Sequence, residues 1–145
     1  VDAANGVGGE VNYLEETSFY RHIFRPRFIN ETTENAYYNF FVKQDIKIDF
    51  LHIDAGHSYE DVKRDFELYS KLLNPNGMIS IHDTDANYQK EYIVTEDEKK
   101  DFVSFDGPSK FVSEKLEGWT KFNFFNSSQL RDKPSSTGVT LLQRV

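Results

Sequence analysis

Apolar and polar positions follow two different periods along this chain, and the switches between them mark its elements. Ile48-Asp49-Phe50-Leu51-His52-Ile53 is a nearly continuous apolar run of strand length, the kind buried on both faces of a parallel sheet. Ser58 then opens a helix, with Asp61 three residues on in a capping-box-like pair. Val62, Phe66, Tyr69, Leu72 and Leu73 recur at helical spacing. Asn74-Pro75-Asn76-Gly77 is a stop signal, and Met78-Ile79-Ser80-Ile81 reads as the next strand. Strand, helix and strand together have the length of a right-handed βαβ crossover.

The flanks read less regularly. Arg27-Phe28-Ile29-Asn30 predicts a short strand after Pro26. Thr32 or Thr33 caps a helix to about Val42, with Ala36, Tyr37, Phe40 and Phe41 on one face. Thr84 to Asp106 is polar, a loop with a short helix. Gly107-Pro108-Ser109 starts a further helix carrying Phe111, Val112 and Leu116. Lys121 to Phe125 and Gly138 to Gln143 read as two strands with no helix between them, so they should pair antiparallel. The fold class is therefore α/β: a Rossmann-like parallel sheet with helices on both faces and a terminal antiparallel hairpin.

Composition narrows the function classes. The chain has 145 residues, enough for one domain with a real core. Its 13 Phe and 8 Tyr suggest a core built on rings rather than aliphatics. A net charge of -7 and no Lys/Arg cluster argue against a nucleic-acid partner. With no cysteine, disulfides, thiolate metal sites and cysteine nucleophiles are excluded. No apolar run has the length of a membrane span and no signal peptide is visible, so a cytoplasmic protein without a membrane partner is the default expectation.

The chemistry concentrates at two strand ends, His52-Ile53-Asp54-Ala55-Gly56-His57-Ser58 and Ile81-His82-Asp83-Thr84-Asp85. In open α/β sheets, ligands sit beyond the carboxyl ends of the strands. Carboxylates and imidazoles converging there could hold a divalent ion or perform acid–base work. Each also has a plainer reading. Asp54 could cap the next helix, His57 could merely precede its N-cap, and His52 reads as a hydrogen-bonded packing residue. His82 is open between ligand and structural roles, while a carboxylate at Asp83, ending an apolar strand, must be solvated or paired.

From Ile48 to Tyr59, and again from Leu73 to Asp83, the sequence resembles the fourth and fifth strands of class I S-adenosylmethionine-dependent methyltransferases. The departures are small. Ala55-Gly56 stands where the family often has Gly then Asp, and Asn76 replaces the first glycine of a pair. The closing hairpin also fits, Thr137-Gly138-Val139 resembling its usual Gly-x-Gly opening. The resemblance implies a single partial methyltransferase domain over residues 1–145, covering the carboxy-terminal two-thirds of the family's fold.

By that resemblance, Asp2, 52 positions before Asp54, matches the acid that binds the cofactor's ribose. Thr33 and Glu34 fall where adenine is contacted, and Asp54 borders the cofactor crevice. Metal-dependent relatives such as catechol O-methyltransferase place metal ligands at positions matching Asp54 and Asp83. His82 occupies a slot that is an acidic ligand in some members. The general base of those relatives is a lysine, and His57 stands at its position. The implied cofactors are S-adenosylmethionine and, by the metal-dependent relatives, Mg or another divalent cation, with a small-molecule or sugar hydroxyl as acceptor. The family's first strand and glycine loop precede the ribose-binding acid and are lacking here, since Gly6-Val7-Gly8-Gly9 lies too near Asp54. The expectation is that an amino-terminal segment, or an oligomeric partner, completes the sheet. Two other readings of the same residues are a dinuclear metal hydrolase using His52, Asp54, His57, His82 and Asp83, and a non-catalytic binding module.

Overall fold

The computed structural model describes residues 29–86, 106–125 and 138–145. Asp2, the Gly6–Gly9 cluster, Arg27 and Phe28, and most of the polar stretch between Thr84 and Asp106 lie outside them. The chain divides into two compact units, Val1–Ile46 and Lys47–Val145.

In the first unit, helix α1 begins at Thr33–Ala36 and continues in wider π-helical turns over Tyr37–Val42. Thr32 is its N-cap, its hydroxyl accepting the Asn35 N–H at 3.2 Å. This answers one of the donors that a helix start leaves unpaired. The predicted helix is present, but its buried residues are Ala36 and Tyr37, while Phe40 and Phe41 pack edge-on against each other at 5.4 Å.

The second unit is built on a four-stranded sheet: β1 Ile48–Ile53, β2 Leu73–His82, β3 Trp119–Phe124 and β4 Val139–Arg144. The strand order is β1-β2-β4-β3. β1 and β2 are parallel, joined by helix α2 (Tyr59–Tyr69), and β4 runs antiparallel to both β2 and β3. Helix α3 (Gly107–Ser113) precedes β3. This is the predicted α/β sheet with a closing antiparallel hairpin. Gly138 opens β4 at φ +83°, a conformation that a side chain resists.

Three expectations change. First, β2 starts at Leu73 rather than Met78, because Leu73 already pairs with Ile48. The register slips between Ile48 and Phe50, so Asn74 to Gly77 is an irregularity inside the strand and not the stop after a helix. Second, β1 is not buried on both faces: Ile53 is 5% exposed and Phe50 57%. Third, among the described residues the core is mainly aliphatic. Ile53, Val62, Leu73, Ile79, Ile81, Val112 and Leu142 surround Phe66 and Phe111, whose centroids lie 5.1 Å apart, and Tyr69 is buried as well. Trp119 closes the edge of this cluster 5.2 Å from Phe66. The remaining rings of the sheet, Phe50, Phe122 and Phe124, stand on its other face.

Candidate active site

Register brings the two chemical segments together. His52 pairs with Ser80 and Ile53 with Ile81, so Asp54 leaves β1 beside His82, the last residue of β2. Both strands run the same way, and their carboxyl ends therefore form one rim. From Asp54 the chain turns through Ala55-Gly56-His57 to Ser58, the N-cap of α2. The Ser58 hydroxyl accepts the Asp61 N–H at 3.1 Å and donates to its Oδ2 at 2.6 Å. That hydroxyl, followed by Arg64 at 2.9 Å, holds the Asp61 carboxyl below its ordinary range against the opposing effect of burial. The cap fixes where the loop ends, and so where His57 stands.

Asp83 follows β2 with φ +57°, a left-handed conformation unusual for a residue with a Cβ. A short polar side chain tolerates this region best, at a strain of about 1 kcal/mol or somewhat more. The bend directs the carboxylate to two imidazoles. Oδ2 lies 2.7 Å from His57 Nε2 and Oδ1 lies 3.2 Å from His82 Nδ1. His82 Nδ1 is also 3.5 Å from Asp54 Oδ1. Donor atoms of Asp54, His57 and Asp83 all fall within 4.8 Å of one another. The next residue is anchored as well, since the buried Thr84 hydroxyl meets that of Thr140 at 3.0 Å.

A carboxylate only accepts, so His57 donates through Nε2–H, which leaves Nδ1 as its basic nitrogen. The His57 side chain is 29% exposed and that of Asp83 14%. Their hydrogen bond raises the imidazole pKa above 6.5, partly offset by burial, with the charges of Asp83 and then Asp54 adding to the rise. A free imidazole is mostly neutral at cellular pH. Here the two carboxylates favour the protonated form, which qualifies the sequence-based expectation of a ready base.

The remaining candidates divide. Thr33 and Glu34 sit in the first turn of α1, in the other unit. His52 is hydrogen-bonded as expected, to Ser80 at 3.2 Å, but is exposed rather than buried. Its Nε2 is 3.9 Å from Asp54, farther than His82, and its Nδ1 is committed to Ser80. Pro108 of α3 was not singled out by sequence, yet it lines a small cavity with Asp54, His57 and His82. The Gly-Pro helix start was its signal.

A family model described as a methyltransferase domain matches residues 7–84, which include both strand ends. The chain belongs to this methyltransferase-domain family. Solved structures share the fold. A protein assigned as a caffeoyl-CoA O-methyltransferase from Staphylococcus aureus superposes with a TM-score of 0.61 at 15% identity, over 93% of this chain and 59% of its own. A protein assigned as an rRNA methylase from Clostridium thermocellum gives 0.58 at 10% identity, over 97% and 72%. An rRNA methylase from Streptococcus thermophilus gives 0.51 at 15%, over 94% and 69%. An uncharacterized protein of Sinorhizobium fredii is 43% identical over 43 residues, 30% of this chain and 5% of the relative. The methyltransferase-domain chain thus spans 59% of the length of the first of these structures. Among its described residues, no helix is long and apolar enough to cross a membrane.

Proposed function

We propose that the protein transfers the methyl group of S-adenosylmethionine to a hydroxyl of a small molecule or sugar, with His57 as the base. One domain is taken to span both compact units, because the family match crosses Ile46. The observation that carries the reading is the 2.7 Å contact between His57 Nε2 and Asp83 Oδ2 at the rim of adjacent parallel strands. Ligands of open α/β sheets sit at such a rim.

When bound, S-adenosylmethionine supplies an electrophilic methyl group on a sulfonium and leaves as the thioether. Asp83 holds the imidazole in one tautomer. His57 Nδ1 takes the acceptor's proton as the new C–O bond forms, and the Asp83 carboxylate stabilises the imidazolium. Asp2, Thr33, Glu34 and Asp54 are the residues proposed for the cofactor itself. A divalent ion fits the donor set, since Asp54 and Asp83 are close and His82 stands within 3.5 Å of both, the carboxylates suiting Mg and the imidazole a softer ion. Held by Asp54, His82 and Asp83, it would orient the hydroxyl and offset the negative charge that now raises the His57 pKa.

A hydroxyl acceptor is in keeping with the O-methyltransferase among the structural neighbours, and the net charge of -7 disfavours a polyanion. Two neighbours assigned as rRNA methylases make RNA the competing acceptor. The test is methyl transfer from labelled S-adenosylmethionine to a panel of small hydroxyl compounds and to RNA. His57→Ala should lower kcat by about 10²–10⁴-fold with cofactor affinity nearly unchanged. Unchanged turnover removes the base assignment. Transfer to RNA alone removes the acceptor, and absence of cofactor binding favours a non-catalytic module.

A further inference from the structure

Helix α3 meets the His57 loop backbone to backbone, and the meeting point is Gly107. A Cβ built there would lie 2.3 Å from the His57 carbonyl oxygen, 2.4 Å from Ser58 C and 2.4 Å from Tyr59 N. Carbon contacts are comfortable at about 3.5–4.0 Å, so one added methyl forces the two backbones apart by about 1 Å. All three atoms belong to main chain, so no flexible side-chain end is available to swing aside.

The 57–59 segment, anchored by the Ser58 cap, must take up part of the displacement, because α3 is itself held along its length. Pro108 fixes φ in the first turn. Phe111 and Val112 are embedded in the core. The Lys121 ammonium binds the Val112 and Glu114 carbonyls, each at 2.7 Å. The opposing carbonyl is that of His57 itself, so the movement reaches the imidazole directly. Its 2.7 Å bond to Asp83, lengthened by about 1 Å, leaves hydrogen-bonding range.

We propose that Gly107 is a positioning residue for His57: by lacking a side chain it lets α3 seat against the 57–59 backbone and so sets the imidazole against Asp83. The kinetic arm of its test rests on the reading of His57 as base, while the spectroscopic arm does not. The variant is Gly107→Ala, and the control is Gly118→Ala. Gly118 differs in having a backbone that resists a side chain, φ +77°, while no described atom lies within 4 Å of the added carbon. Both variants should lose stability. Gly107→Ala alone should shift the His57 ring ¹H–¹⁵N signals, assigned against His57→Ala, toward those of an unpaired imidazole. It should also lower kcat by about 10–100-fold, the usual penalty for a misplacement of about 1 Å, with the KM for S-adenosylmethionine unchanged. In a His57→Ala background it should cause no further loss.

An unchanged ring signal overturns the proposal, as does an equal further loss in the His57→Ala background. If His57→Ala leaves turnover intact, the base reading falls and the ring signal still decides the role of Gly107. Should Gly107→Ala fail to fold, Pro108→Ala loosens the helix start without adding a clash. It should move the same signals in the same direction by less, and unmoved signals overturn the proposal.

Discussion

The two faces of the sheet are made from alternate residues of the same strands, yet they do different work. On one face Ile53, Ile79, Ile81 and Leu142 meet α2 and α3 and are almost fully buried. On the other, Phe50, Phe122 and Phe124 are half exposed, among His52, Ser80 and His82. The covered face is a packing surface in which each side chain has many partners. The second face carries the polar groups that run up to the rim, where His82 joins Asp54 and Asp83. Stability should therefore be concentrated on the first face, and the approach to the chemistry on the second.

The largest expected effect tests the covered face. Ile81 is 0% exposed and pairs with Ile53 and Thr140 across the two neighbouring strands. Truncation to Ala leaves a cavity that a packed core does not fill and should cost about 2–5 kcal/mol. Denaturant unfolding measures it directly. A loss under 1 kcal/mol would mean that this face is not the one on which the fold depends.

A smaller effect tests the joint between the covered face and the rim. Ser58→Ala removes the cap of α2 and should cost about 1 kcal/mol at pH 7. The pH dependence has a definite sign. Asp61, whose folded pKa is lowered chiefly by the Ser58 hydroxyl, contributes stability that is present above its unfolded pKa of about 3.9 and lost as pH falls through the folded value. Ser58→Ala forfeits that contribution beforehand. The stability gap between the two proteins should accordingly narrow below about pH 3.9, in chemical denaturation curves taken across that range. A gap independent of pH would assign the loss to the backbone cap alone.

How much of this was legible in the sequence follows from range. β1, the Ser58 cap, the start of α3 and the closing hairpin came from local signals: an apolar run, a hydroxyl three residues before Asp61, a Gly-Pro pair, and two strands without a helix between them. The convergence of Asp54 with Asp83 followed from adjacency of the strands they end. The early start of β2 was hidden because Asn74-Pro75-Asn76-Gly77 carries the same residues whether it ends a helix or distorts a strand, and pairing with Ile48 decides between them. The left-handed backbone of Asp83 and the contact of Gly107 with His57 depend on positions distant in sequence, which no local pattern encodes. Among the described residues the aromatic content misled for a related reason: composition counts rings without saying which face of a strand they occupy.

The smallest effect expected is the one that most sharpens the contrast between the faces. Phe122 is 47% exposed and pairs with Leu141 on β4. Its alternation places it on the face opposite Lys121, whose ammonium donates to the Val112 and Glu114 carbonyls at the end of α3. A side chain that keeps half its surface in water gains little from burial, and exchanging Phe for Thr retains a good strand former. Phe122→Thr should therefore change unfolding free energy by no more than about 0.5 kcal/mol, the usual range for surface substitutions. The comparison with Ile81→Ala is informative because the larger ring is the one whose loss should matter less. Apolar size counts only where neighbours exclude water around it. If Phe122→Thr instead cost as much as Ile81→Ala, the second face would be covered in the working protein. Exposure of Phe50 and Phe124 would then have to be reread as a packing surface in its own right.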